Sequence, residues 1–294
     1  NAIMLEQLNK VYELGNHDRQ LSTRFTMALG TLAADIREEE IIKVYGIDAP
    51  YYYLTESLCW PILEEIIKSK LMTEPMEVNE RMRELSLKMP VGSTVLTVVR
   101  LVEQMALYYN QTKSIGTLKL NTPEEYVQQY VNEYYLMDMF YRRALEAYHE
   151  LVTLDIPIEA VINEAKRQLD QDYAKMANVM NLEWLTCVKE KGETFRGVTL
   201  GRQQNFYRTE GDGTVKQVVI VSDALRYEVA VELMQQLAKE KHIATLTPYL
   251  AMLPTETKYC KPALLPHQSL ELQGTDMQVD GIVLATTEQR SAHL

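Results

Sequence analysis

The pattern of this chain changes once, near residue 190, and that change limits its fold more than any other feature. Before it, apolar residues recur every three or four positions, the spacing of amphipathic helices. The segment from Asn121 to Glu150 shows this best. Thr122-Pro123-Glu124-Glu125 supplies a helix cap, a proline at the first helical position and an acid three residues after the cap. Tyr126, Tyr130, Tyr134, Met137, Tyr141, Leu145 and Tyr148 then line one stripe, while Glu133, Arg142, Arg143 and Glu146 fall largely off it. Pro157 opens the next helix, which runs through Val161, Ile162, Ala165, Leu169, Tyr173, Met176 and Met180 towards Trp184. Earlier helices are expected around 2–14, 20–44, 51–69, 76–87 and 94–109. No fixed-period repeat links them, so a helical solenoid is not indicated.

After the change, Gly192, Gly197, Gly201 and the turn Gly211-Asp212-Gly213-Thr214 break the helical pattern. Val215 to Val221 follows as a β-branched run suited to a buried strand, which would make Ile220 a core residue. Arg226 to Lys239 reads as a helix with Val229, Val231, Leu233, Met234 and Leu237 on its buried side, and Ile243 to Leu250 as the next strand. Strand, helix and strand in this order open an α/β domain with a parallel sheet. The expected organisation is a mainly α N-terminal helical domain over 1–195, a linker and turn region over 196–213, and the first part of an α/β core over 214–294.

Composition narrows the function classes. A net charge of −11 over 294 residues argues against a uniformly basic surface that coats nucleic acid. No apolar run reaches the ~18 residues needed to cross a bilayer, and no basic-then-apolar signal opens the chain. Cys59, Cys187 and Cys260 lie far apart and form no zinc-ribbon spacing, so they read as reduced thiols of a cytoplasmic protein. The 18 tyrosines include Tyr51-Tyr52-Tyr53, Tyr108-Tyr109 and Tyr134-Tyr135. They could stack single-stranded nucleic acid, but few Lys or Arg interleave, and core or interhelix packing is the favoured reading.

The chemistry is concentrated in two segments. In Val218-Val219-Ile220-Val221-Ser222-Asp223-Ala224-Leu225-Arg226, an acid follows a β-branched run, where open α/β sheets place their ligands. A carboxylate there can hold a divalent cation, or it can cap the following helix. In Leu253-Pro254-Thr255-Glu256-Thr257-Lys258-Tyr259-Cys260, either threonine is a candidate helix cap. A threonine hydroxyl becomes a useful nucleophile only when a metal or base takes its proton. If the two strands are neighbours, Asp223 and Thr257 emerge at one sheet edge and can share a metal.

Together these segments resemble the PglZ family. The resemblance rests on Ser-Asp-Ala-Leu-Arg-Tyr-Glu at 222–228, Leu-Pro-Thr-Glu-Thr at 253–257 and Pro-Ala-Leu-Leu-Pro-His at 262–267. Softer likeness extends to Asp280-Gly281 through Arg290, to Tyr130–Tyr148 and to Gln203-Gln204-Asn205-Phe206-Tyr207-Arg208. That family belongs to the alkaline phosphatase superfamily and serves in BREX phage defence. The resemblance implies an alkaline-phosphatase-like core and a metal-dependent phosphatase or phosphodiesterase, with nuclease activity as one form. Asp223 would be a metal ligand. Thr257 would be both a metal ligand and the nucleophile that forms a phosphothreonine. Zinc, manganese or magnesium is the implied cofactor, and other BREX proteins and nucleic acid are the implied partners. Cys260 stands where nucleotide pyrophosphatases carry a phosphate-holding Asn, so a phosphate clamp must come from other groups.

The superfamily's remaining Asp and His ligands are expected beyond Leu294. His267 and His293 read as surface or locally satisfied histidines. With Asn1 rather than Met at its start, the chain reads as an internal fragment, inactive by itself. A second class of function is a scaffold that docks other defence proteins through its helical domain. A receiver-like or Rossmann module ranks last, since no GxGxxG turn follows Val221.

Overall fold

The structure, a computed structural model, describes residues 56–89, 92–116, 118–191, 195, 197–210 and 218–294, with isolated helical positions between Lys10 and Thr31. Apart from those positions, the expected helices at 2–14 and 20–44, the Tyr51-Tyr52-Tyr53 run, the 211–214 turn and Val215 to Gln217 lie outside the described residues. The chain forms two compact units. One comprises Asn1–Lys119 and Leu136–Glu183, the other Leu120–Tyr135 and Trp184–Leu294.

The first unit is helical. Helix α1 (Glu56–Glu65) runs on into a wider π turn (Ile66–Lys70), and is followed by α2 (Pro75–Lys88) and α3 (Thr94–Ser114). Pro75 stands at the start of α2, where its missing N–H costs nothing, and Ser93 caps α3 by accepting from the Leu96 amide. α1 and α2 both pack on α3, burying Ile62, Leu63, Val78, Met82 and Leu85 with Val98, Leu101 and Met105. Helix α4 (Pro123–Gln129) and the π turn at Tyr130–Tyr134 belong to the second unit, whereas α5 (Tyr135–Leu151) and α6 (Glu159–Glu190) lie mostly in the first. The expected cap is present, Thr122 Oγ1 accepting from the Glu125 amide at 3.2 Å.

The tyrosines of this unit join helices. The Tyr109, Tyr141 and Tyr173 hydroxyls donate to Asp172, Asp170 and Asp138 at 3.1, 3.1 and 2.8 Å. The rings of Tyr141 and Tyr173 stack with centroids 3.7 Å apart. Burial, followed by the Asp170 hydrogen bond, pushes the Tyr141 phenol up to about 12. Packing, the favoured reading, therefore accounts for these rings. Tyr108 differs, because its buried hydroxyl has no hydrogen-bond partner among the described residues. Tyr109→Phe should lose about 1 kcal/mol of stability, whereas Tyr108→Phe should be neutral or gain about as much. Urea unfolding of the two variants checks this. Equal losses would mean that Tyr108 has a partner.

The second unit mixes helices with short strands. It holds β1 (Gly201–Arg202), α7 (Phe206–Glu210), α8 (Tyr227–Lys239), β2 (Tyr249–Leu250), α9 (Thr257–Ala263), β3 (Leu270–Gln273), β4 (Asp276–Val279), β5 (Ile282–Val283) and α10 (Thr287–His293). β1 pairs in parallel with β2, Gly201 opposite Tyr249. A Cβ on Gly201 would come within 2.7 Å of the Tyr249 ring, so glycine is required for the strands to meet. β3, β4 and β5 form an antiparallel meander. Its last turn is Asp280-Gly281, both at positive φ, as a two-residue hairpin demands. The Asp280 carboxylate accepts from the Ser269 and Gln268 amides at 2.7 and 2.9 Å, which holds it below the usual carboxylate range. Helix α8 is anchored at its start, where the Tyr227 ring meets those of Tyr135 and Tyr130 and the buried Glu228 pairs with Arg226 at 2.5 Å. A helical region thus precedes a mixed region with a short parallel sheet, the fold class expected.

Two strand assignments are corrected. Val218–Val221 belongs to no sheet among the described residues and lies open, with Ile220 87% exposed. Of Ile243–Leu250, only Tyr249 and Leu250 form a strand, and the parallel partner is Gly201–Arg202 rather than Val215–Val221. The physical reason is that β-branched residues favour extended backbone, but a strand also needs a neighbour to receive its hydrogen bonds. Ile220→Ala should therefore change stability by less than about 0.5 kcal/mol, instead of the ~2–5 kcal/mol of a buried strand residue. Thermal unfolding of that variant distinguishes the two placements.

Candidate active site

The site forms where the turn at Ser222-Asp223 meets the start of α9. Ala224 takes a positive φ of 56°, which turns the chain sharply just after Asp223. Thr257 is the first residue of α9, and Lys261 lies one helical turn later on the same face. The Thr257 hydroxyl donates to Asp223 Oδ1 at 3.4 Å, and Lys261 Nζ lies 3.1 Å from Asp223 Oδ2. One carboxylate thus meets a hydroxyl and an ammonium that its own chain segment does not supply. The ammonium, first among several hydrogen-bond donors, holds the Asp223 carboxyl below the usual carboxylate range. The group is solvent-facing, Asp223's side chain being 60% exposed, so ions and small anions have access.

Neither residue serves as a helix cap, the alternative role for each. Helix α8 is capped at Arg226 and α9 at Glu256, neither with a side-chain cap bond. The supports of the site come from Gln203, just before α7, and from Arg208 within it. Gln203 Oε1 accepts from the Met252 amide at 3.0 Å, while its Nε2 donates to the Cys260 carbonyl at 3.3 Å. The Gln203 side-chain amide thus ties the segment just after β2 to α9. Arg208 likewise donates to the His267 and Gln268 carbonyls at 3.2 and 3.4 Å. Cys260 turns its thiol back to the Met252 and Pro254 carbonyls, 3.8 and 3.7 Å away, and burial raises its pKa.

The sequence pointed to Asp223 and Thr257, and the fold brings them together. Lys261 and Gln203 join them there, neither of them a candidate from the sequence. The helical spacing of Lys261 from Thr257 was a usable signal, whereas nothing in the sequence marked Gln203 as a clamp. His267 and His293 are locally satisfied, as expected, each bonded to a carbonyl at 2.7 Å, of Leu265 and Pro266 respectively. Among the described residues no three His, Cys, Asp or Glu side chains converge as a metal set. Asp223 and Thr257 offer two oxygen donors, which fit one side of a hard cation's shell but do not complete it.

A hydroxyl and a carboxylate brought together from segments 34 residues apart are groups that phosphoryl transfer can use. Residues 205–294 match the family model described as the BREX system PglZ alkaline phosphatase-like domain, a stretch that includes both residues. The chain is 26% identical over 179 residues to the alkaline phosphatase-like protein PglZ of Bacillus cereus (strain H3081.97), covering 58% of this chain and 20% of that protein. It is 42% identical over 91 residues to the alkaline phosphatase-like protein BrxZ of Escherichia coli O9:H4 (strain HS), covering 28% of this chain and 10% of that protein. The family match falls on the stretch that carries the segments at 222–228, 253–257 and 262–267. The chain spans a fifth or less of the length of these relatives. No solved structure matches it. No helix among the described residues is long and apolar enough to cross a membrane.

Proposed function

We propose that this chain carries part of the active site of a metal-dependent phosphoric ester hydrolase, a phosphatase or phosphodiesterase, acting in BREX-type phage defence with other proteins of that system. The observation that supports the reading is the meeting of the Thr257 hydroxyl with the Asp223 carboxylate, 34 residues away in sequence. In this reading the Thr257 hydroxyl gives its proton to solvent and Oγ1 attacks phosphorus as the ester P–O bond breaks, the leaving oxygen taking a proton from water. Water then cleaves the phosphothreonine and restores the hydroxyl. Asp223 orients the hydroxyl through its Oδ1 and offers the carboxylate that would hold a cation. Zinc, manganese or magnesium held by Asp223 and Thr257 would lower the hydroxyl pKa and neutralise phosphoryl charge.

The test is covalent trapping in the full-length protein with bis-p-nitrophenyl phosphate and manganese. One p-nitrophenolate should be released as the aryl phosphoryl group becomes attached to Thr257, seen by peptide mass mapping. An adduct elsewhere, or release without any adduct in rapid-quench samples, would count against Thr257 as nucleophile.

A further inference from the structure

A hydrolase of phosphate esters must neutralise the anionic oxygens of its substrate, and several cations lie in the segments around Thr257. Lys258 is directed to the Tyr259 ring, 4.6 Å from its centroid, and to Glu256 at 3.6 Å. Arg226 is held by the buried Glu228. Cys260 is a poor donor, and its thiol faces backbone carbonyls of the preceding loop. Lys261 is different. It shares a helix face with Thr257, and its ammonium lies 3.1 Å from the same carboxylate that receives the Thr257 hydroxyl. Its partner is exposed, and surface ion pairs of this kind are weak enough to exchange.

We propose that Lys261 is the phosphate-binding residue of this site. Its ammonium leaves Asp223 Oδ2 for a non-bridging phosphoryl oxygen of a phosphate ester when a divalent cation takes the carboxylate. The inference rests on the hydrolase reading above, but it makes a separate claim with its own sign. While Lys261 holds Asp223, it competes with a cation for Oδ2. Once it is released, it supplies the charge-assisted hydrogen bond that the anion needs. The Gln203 clamp keeps the Cys260 backbone, and with it the start of the lysine's helix turn, in place during the exchange.

The experiment is calorimetric titration of the full-length protein with Mn²⁺ alone, then of the Mn²⁺-saturated protein with inorganic phosphate. Wild type, Lys261→Met, Lys261→Arg and Asp223→Asn are compared, with circular dichroism to confirm that each is folded. Lys261→Met should bind Mn²⁺ about two- to fivefold more tightly, since an exposed competing charge is gone. It should bind phosphate about tenfold or more weakly, since a charge-assisted bond is lost. Lys261→Arg should restore phosphate binding. Phosphate affinity equal in wild type and Lys261→Met, or no phosphate binding by wild type, overturns the proposal. Mn²⁺ and phosphate weakened together also overturn it, because that is the signature of a merely structural lysine. The hydrolase reading fails on a different result, namely Mn²⁺ affinity that Asp223→Asn leaves unchanged.

Discussion

Thr257→Ala is expected to lower metal-dependent turnover of bis-p-nitrophenyl phosphate by the full-length protein about a thousandfold or more. Removing a nucleophile deletes the covalent route altogether, and what remains is the catalysis that positioning alone can give. Thr257→Ser keeps the hydroxyl and should keep much of the rate. Asp223→Asn should also be severely impaired, since the amide is a poor cation ligand and carries no charge. These substitutions are on solvent-facing side chains, so folding stability should change by less than about 0.5 kcal/mol in each. A loss of rate at unchanged stability is therefore chemical in origin. Equal turnover in wild type, Thr257→Ala and Asp223→Asn would remove the hydrolase proposal. Turnover that survives a chelator would remove its metal dependence alone.

The second large effect is on folding. Leu169 of α6 is 0% exposed, while Leu185 of the same helix is 59% exposed. Leu169→Ala should cost about 2–5 kcal/mol, since burial is lost and the cavity closes only in part. Leu185→Ala should cost almost nothing, because alanine is the better helix former and little surface is uncovered. Helix propensity is therefore matched between the two variants, and the difference isolates burial. Urea unfolding should show a lower midpoint with an unchanged slope for Leu169→Ala. A cost below about 1 kcal/mol at Leu169 would mean that α6 is not packed as described.

The helices were the most legible part of the chain. The patterns at 76–87 and 94–109 correspond to Pro75–Lys88 and Thr94–Ser114, and the Thr122 cap lies where its four-residue signature put it. The π turn at Tyr130–Tyr134 was not legible, because an apolar stripe every three or four residues reads alike through an α or a wider turn. The strands were least legible. Val218–Val221 has the composition of a buried strand and is exposed, while Gly201–Arg202, with no such composition, pairs with Tyr249–Leu250.

What the sequence alone determined is what each segment can do with its own neighbours: helix spans, the Thr122 cap, and two candidate residues with the chemistry for phosphoryl transfer. What only the tertiary structure decided is which segments meet. Helical hydrogen bonds close within four residues, so their code is local. A strand pairing, the Gln203 clamp and the contact of Lys261 and Thr257 with Asp223 span 34 to 57 residues, and they exist only once the intervening chain has folded.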